Sequence, residues 1–176
     1  MHNDTPYSYG NVSKILHWLV ALFVIGNLIG GLVMEDLPPE LRGMIMPVHK
    51  SVGIAVLVLM FVRSGWRAFQ GFPKLPHAIP ARERQLARLG HLAFYPLLIL
   101  MPLSGWMLSS AADRTTSFFG LFDLPRMIAP DLALREFFGA AHSVLAWGLV
   151  ALVTVHIAAA LYHHYIQGHK LIRRML

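Results

Sequence analysis

Residues 137–166 read FFGAAHSVLAWGLVALVTVHIAAALYHHYI. No Asp, Glu, Lys or Arg interrupts the run, and about 20 such residues cross the hydrocarbon core of a bilayer. Of its four histidines, two stand well inside the apolar stretch, His142 and His156, fourteen positions apart. On an α-helix that separation returns to nearly the same face, about 40° off, and spans about 21 Å along the axis. Burying a titratable group in lipid is costly, so each of these histidines is a functional candidate. One helix thus offers an imidazole at each of two depths.

Three further apolar runs lie upstream, at 15–34, 48–69 and 89–109. Pro96 and Pro102 fall inside the third, where a bundle tolerates them as kinks. Only 14% of the 176 residues are charged and 56% are hydrophobic, whereas a soluble domain carries about a quarter charged residues. The fold class expected is an all-α integral membrane bundle of four transmembrane helices, one domain spanning 1–176, with no internal repeat. The chain lacks cysteine, which excludes disulfides, thiolate metal sites, iron–sulfur clusters and covalent haem attachment.

The formal charge of +6 is a topology signal rather than a nucleic-acid footprint. Arg63, Arg67, Lys74, Arg82, Arg84 and Arg88 crowd the second connection, and Lys170, Arg173 and Arg174 end the chain. Basic residues in short loops favour the cytoplasm, which places that connection and both termini inside. Residues 1–11 are polar and no cleavage pattern follows, so a cleavable signal peptide is not expected. The longer third connection, 111–136, shows no clear period and is expected to form a small lid on the outer face.

Two depths on the fourth span require partners at matching depths. His17 lies near the inner end of the first span, level with His156, and His49 at the outer start of the second, level with His142. Neutral imidazole is an axial ligand for haem iron, and a b-type haem needs no cysteine. The expectation is two haems, the inner on His17 and His156, the outer on His49 and His142. Fourteen residues beyond His17 comes Gly31, which leaves the outer level unobstructed. Fourteen beyond His49 comes Arg63, placed to pair with a haem propionate. His91, at the inner start of the third span, competes with His17, since periodicity does not choose a helix neighbour.

His163 falls close to the face of His156 on an ideal helix and is suited to a propionate or a quinone carbonyl. His164 reads as interfacial; His2, His77 and His169 lie in polar segments and read as incidental. Trp18, Trp66, Trp106 and Tyr162 sit where an aromatic belt belongs. Gly26, Gly30, Gly31 and residues 158–160 suit close helix approach. Neither a Walker motif, a zinc-type spacing nor a Ser–His–Asp arrangement occurs.

Taken together, ILHWLV, HKSVGIAVLVLMFVR, GHLAFYPLLILMPLSGW and AHSVLAWGLVALVTVHIAAALYHHY resemble the bacterial cytochrome b-561 family, over about residues 9–171. The resemblance implies a four-helix di-haem b cytochrome of the inner membrane that exchanges electrons with ubiquinone. Its superoxide oxidase branch is the most similar, in which superoxide gives its electron to the haems. The family's axial histidines carry onto His17, His49, His142 and His156, and its quinone-side histidine onto His163. Superoxide, a small anion, is then expected at the outer haem edge, steered by Lys50 beside His49, with Arg42, Arg126 and Arg135 in the flanking connections. Two alternatives stay open. One is an electron-transfer subunit with a protein donor, a dehydrogenase or hydrogenase. The other is a non-redox bundle whose histidines bind a metal or move protons.

Overall fold

The computed structural model describes residues 3–5, 8–74 and 78–176; His2 and His77 lie outside them. Among the described residues, four helices are long and apolar enough to cross a membrane. They are α1 (Asn11–Val33), α2 (Pro39–Gln70), α3 (Ala81–Ala111) and α4 (Leu132–Leu161). The start of α1 and the C-terminal tail lie together at one end of the bundle, the inner end, where Lys14 and Trp18 donate to the last two residues. Leu22, Ile29, Val58, Val62, Leu100, Val144 and Val155 remain exposed on the outside of the bundle. In water such a belt is a liability, but against lipid it is the expected surface.

Helix ends follow local chemistry. Pro39 occupies the first turn of α2, where its missing N–H costs nothing. Gly71, at φ +69, ends that helix with its N–H on the Arg67 carbonyl. Asp131 caps α4 by accepting the Leu134 N–H at 2.8 Å. The helices outrun the apolar stretches expected from hydropathy. α2 starts at Pro39 rather than 48, and α3 takes in the charged turns from Ala81. Beyond Leu161 the fourth span is not α-helical, because Tyr162–Ile166 form a π-helical turn. The third connection adds a small antiparallel hairpin to the helical bundle, β1 (Thr116–Phe118) against β2 (Phe122–Leu124), with Phe118 opposite Phe122.

The apolar core is a layer rather than a column. Val20 and Val24 of α1, Val56 and Met60 of α2, Leu98 of α3 and Leu149 of α4 cluster at mid-height. Each set lies between the inner and outer candidate positions of its own helix: 17 and 31, 49 and 63, 91 and 105, 142 and 156. α4 packs chiefly on α3, and it faces α1 and α2 through pairs of imidazole rings.

At the inner end the N-terminal arm is clipped to α2. The Arg67 guanidinium meets the Asp4 carboxylate at 2.7 Å, with the side chains 8% and 2% exposed. Asp4 also accepts from Gly10 N and Ser13 Oγ. The C-terminal tail crosses α1, where Trp18 Nε1 donates to Met175 O and Lys14 Nζ to Leu176 O.

Candidate functional site

At the outer level the rings of His49 and His142 face each other with centroids 6.3 Å apart. Two glycines make room for them. A Cβ on Gly31 would sit 3.1 Å from His49 Cε1, and one on Gly105 would sit 2.9 Å from His142 Cε1. Ser104 settles the tautomer of His142. Its hydroxyl donates to Met101 O at 2.7 Å, so at 3.0 Å from His142 Nδ1 the serine oxygen accepts the ring N–H. The lone pair is then on His142 Nε2. His49 Nδ1 is buried without a hydrogen-bond partner. A lateral cavity of about 190 Å³ opens beside His49, lined also by Leu22, Gly26, Asn27 and Gly30.

At the inner level His156 is the hub. His17 lies 6.2 Å from it by ring centroid, His91 5.5 Å and Phe94 5.3 Å. Arg63, whose guanidinium only donates, approaches His17 Nδ1 at 3.2 Å. That contact places the His17 proton on Nε2, so offering Nε2 to a metal requires Arg63 to release Nδ1. Arg63 and His17 do share a level, as do Gly31 and His49.

A profile of the family described as prokaryotic cytochrome b561 matches residues 8–176. The chain belongs to that family. It is 38% identical to cytochrome b561 homolog 2 of Escherichia coli (strain K12), covering 98% of this chain and 93% of that one. It is 29% identical to cytochrome b561 homolog 1 of the same organism, covering 92% of each. To the probable superoxide oxidase CybB of Yersinia pestis it is also 29% identical, over 92% of this chain and 91% of the relative. Membership makes the chain a multi-pass membrane electron-transfer protein, and implies b-type haem.

The imidazoles fit such a group. Two rings bonding one metal at about 2.0–2.1 Å, plus a ring radius of about 1.1 Å on each side, have centroids roughly 6.2 Å apart. The outer pair and the His17–His156 pair stand at 6.3 and 6.2 Å, while the His91–His156 pair, at 5.5 Å, is too close. The Ser104–His142 bond is the kind of outer-shell contact that fixes a ligand's tautomer.

Beyond the two levels, the hairpin roofs the outer end. Ser51 Oγ accepts the Phe119 N–H, and its hydroxyl lies within bonding reach of Pro47 O and Ser117 O. Lys50 Nζ donates to Thr115 O at 3.1 Å. Of the other expected cations, Arg126 pairs with Asp113 at 2.6 Å and Arg42 donates to Glu35 O and Leu37 O. Arg135 is exposed. At the inner end His163 meets His169 and Glu83. Sequence reasoning missed Ser104, Gly105 and Glu83, and set His169 aside. For Gly105 a signal existed, since it lies fourteen positions beyond His91 as Gly31 does beyond His17.

Proposed function

We propose that this protein is a superoxide:ubiquinone oxidoreductase of the bacterial inner membrane, both termini cytoplasmic, with two b haems per chain. The observation that carries the reading is the pair of imidazole couples at 6.3 and 6.2 Å, one on each side of the mid-height core. His49 and His142 would hold the outer haem, His17 and His156 the inner. The likeness to the Yersinia pestis relative supports superoxide as the donor. Haem, when bound, supplies one-electron carriers at two depths. Two superoxide ions each lose one electron and leave as dioxygen; one quinone gains two electrons and two protons and leaves as quinol.

The chain's own residues divide the remaining work. Lys50, next to His49 and tied to the hairpin, holds positive charge where the anion arrives. Gly31 and Gly105 keep the outer level open, and Ser104 presents His142 in its ligand tautomer. Arg63, now on His17 Nδ1, would on turning away be free to pair with a propionate of a haem held at the inner level. His163 offers Nε2 to a quinone carbonyl, being 3.8 Å from Glu83 Oε2 and thus not hydrogen-bonded to it. A pyridine haemochrome assay, giving haem per chain, tests the first claim: two are expected, and none ends the reading. Mixing the purified protein with superoxide and a short-chain ubiquinone, with no protein partner present, tests the second. Quinol formation supports it; haem that superoxide does not reduce points instead to a subunit served by a protein donor.

A further inference from the structure

The turn that closes α4 is built around three side chains. Within the π-helical turn the His163 carbonyl accepts the His169 N–H at 2.9 Å. Gly168, at φ +71, reverses the chain between them, a conformation that a Cβ disfavours. This brings His169 back against His163, with Nδ1···Nδ1 at 3.3 Å, the ring planes 27° apart and the centroids 5.6 Å apart. The centroid separation equals the nitrogen separation plus one ring radius on each side, so the two Nδ1 atoms point at each other along one line. A metal on that line needs about 4 Å between the nitrogens. A single N–H fits it, donated by one ring and accepted by the other.

On its far side His163 presents Nε2 to Glu83 Oε2 at 3.8 Å, across from the first turn of α3. That carboxylate oxygen is buried and has no hydrogen-bond partner, although the Glu83 side chain as a whole is 35% exposed. A buried carboxylate oxygen without a donor is costly, and an imidazole N–H and an oxygen just beyond bonding distance leave room for a third polar group. Among the described residues, the titratable and charged groups around His163 include Glu83 from α3, His169 from the tail, and Tyr162, His164 and Tyr165 from its own turn, the Tyr162 ring being 5.9 Å away. Arg82 and Arg84 flank Glu83 in sequence, Arg84 donating to Ile79 O, and Lys170 follows His169.

We propose that His169 and His163 form a proton relay, with the Glu83 carboxylate as its counter-charge, that carries protons from the inner aqueous face to the quinone oxygen bound beside His163. The relay rests on the inner quinone site proposed above. A proton taken up at His169 Nε2 is matched by transfer of the Nδ1 proton to His163 Nδ1, which makes His163 an imidazolium beside the Glu83 carboxylate. His163 then gives its Nε2 proton to the quinone oxygen, and ring reorientation resets it for the second. With haem bound, the two electrons would be supplied from the inner level, so each quinone takes two electrons and two protons and leaves as quinol. Proton and electron meet at one place, and no proton need cross the apolar core.

The test uses the haem-loaded full chain and a short-chain ubiquinone. In Glu83→Gln and His169→Gln, kcat for quinone reduction falls about a hundredfold, the scale of a lost acid–base step, while KM stays within about twofold. The solvent deuterium isotope effect on kcat rises, and the rate becomes steeper in pH. Independently of turnover, ¹⁵N NMR of the reduced protein shows a proton shared between His163 Nδ1 and His169 Nδ1, absent in His169→Gln. A raised KM with unchanged kcat, or an unchanged isotope effect, overturns the relay. If His163→Ala impairs quinone reduction and both other variants retain wild-type kcat, the relay alone falls. If His163→Ala has no effect on quinone kinetics, the inner site falls and takes the relay with it.

Discussion

A single methyl group separates a workable outer level from a blocked one. Gly105→Ala puts a Cβ 2.9 Å from His142 Cε1 and 3.3 Å from its Nδ1, closer than real contacts allow, so the ring must leave the position from which it faces His49. The expected outcome is loss of most of the outer haem with the inner one kept, seen as about half the haem per chain and a simplified reduced spectrum. Gly90→Ala, on the same helix with nothing within 4 Å of its Cβ, is the control and retains both. If Gly105→Ala also retains both, the close approach is not what shapes the level. Ser104→Ala acts more gently. It removes the acceptor that holds His142 Nδ1–H, and such outer-shell losses weaken metal affinity by about 10- to 100-fold. Competition with apomyoglobin for haem measures it. The histidine spacing was readable because fourteen residues is close to four helical turns, so one helix alone reveals two depths. Ser104 was not, since its role depends on which face α3 turns to α4, and periodicity carries no information about a neighbour.

Among the elements, the N-terminal arm and α2 are joined by one buried ion pair, Asp4 with Arg67. Removing one partner leaves an uncompensated buried charge, at a cost of about 3–5 kcal/mol. Arg67→Ala is therefore expected to lower the unfolding midpoint in SDS sharply, while the double variant Asp4→Ala, Arg67→Met loses much less. Equal losses in the two would mean the pair is already solvated. The arm is also where sequence reading stopped short: Asp4 and Arg67 are sixty-three positions apart, and only packing brings them together. By contrast, the four spans were legible because hydrocarbon demands long uncharged helices, a requirement written directly in composition. The amphipathic start of α2 and the charged start of α3 escaped a search for apolar runs, since both lie at the span ends. The hairpin escaped because three-residue strands, TSF and FDL, carry too little alternation to register. A helical wheel does not fix the angle of His163, because a 100° step per residue no longer holds inside the π-helical turn at Tyr162–Ile166.

At the scale of the whole molecule the arrangement is directional. In the proposed scheme the end with Lys50, above His49 and His142, receives the anion, and the end with His163, below His17 and His156, handles protons; the core of Val20, Val56, Met60, Leu98 and Leu149 separates them. Lys50→Gln should slow haem reduction by superoxide and flatten its dependence on ionic strength, since steering by charge is screened by salt. Stopped-flow absorbance across a salt series reads both, and an unchanged slope would remove Lys50 from the path. The order of the two levels is tested by entering from either end. The two imidazoles of α4 stand about 21 Å apart along the axis, too far to share an iron, so His142→Ala strips the outer level and leaves the inner one intact. In that variant superoxide loses its entry point, and haem reduction by it should fall at least tenfold. Quinol, entering from the opposite end, needs only the inner level and should still reduce the remaining haem under anaerobic conditions at close to the wild-type rate. His156→Ala should show the mirror image, with superoxide reducing a haem that quinol no longer reaches. If both donors fail together in both variants, the two levels do not act in series, and the assignment of superoxide to one end and quinone to the other fails with them.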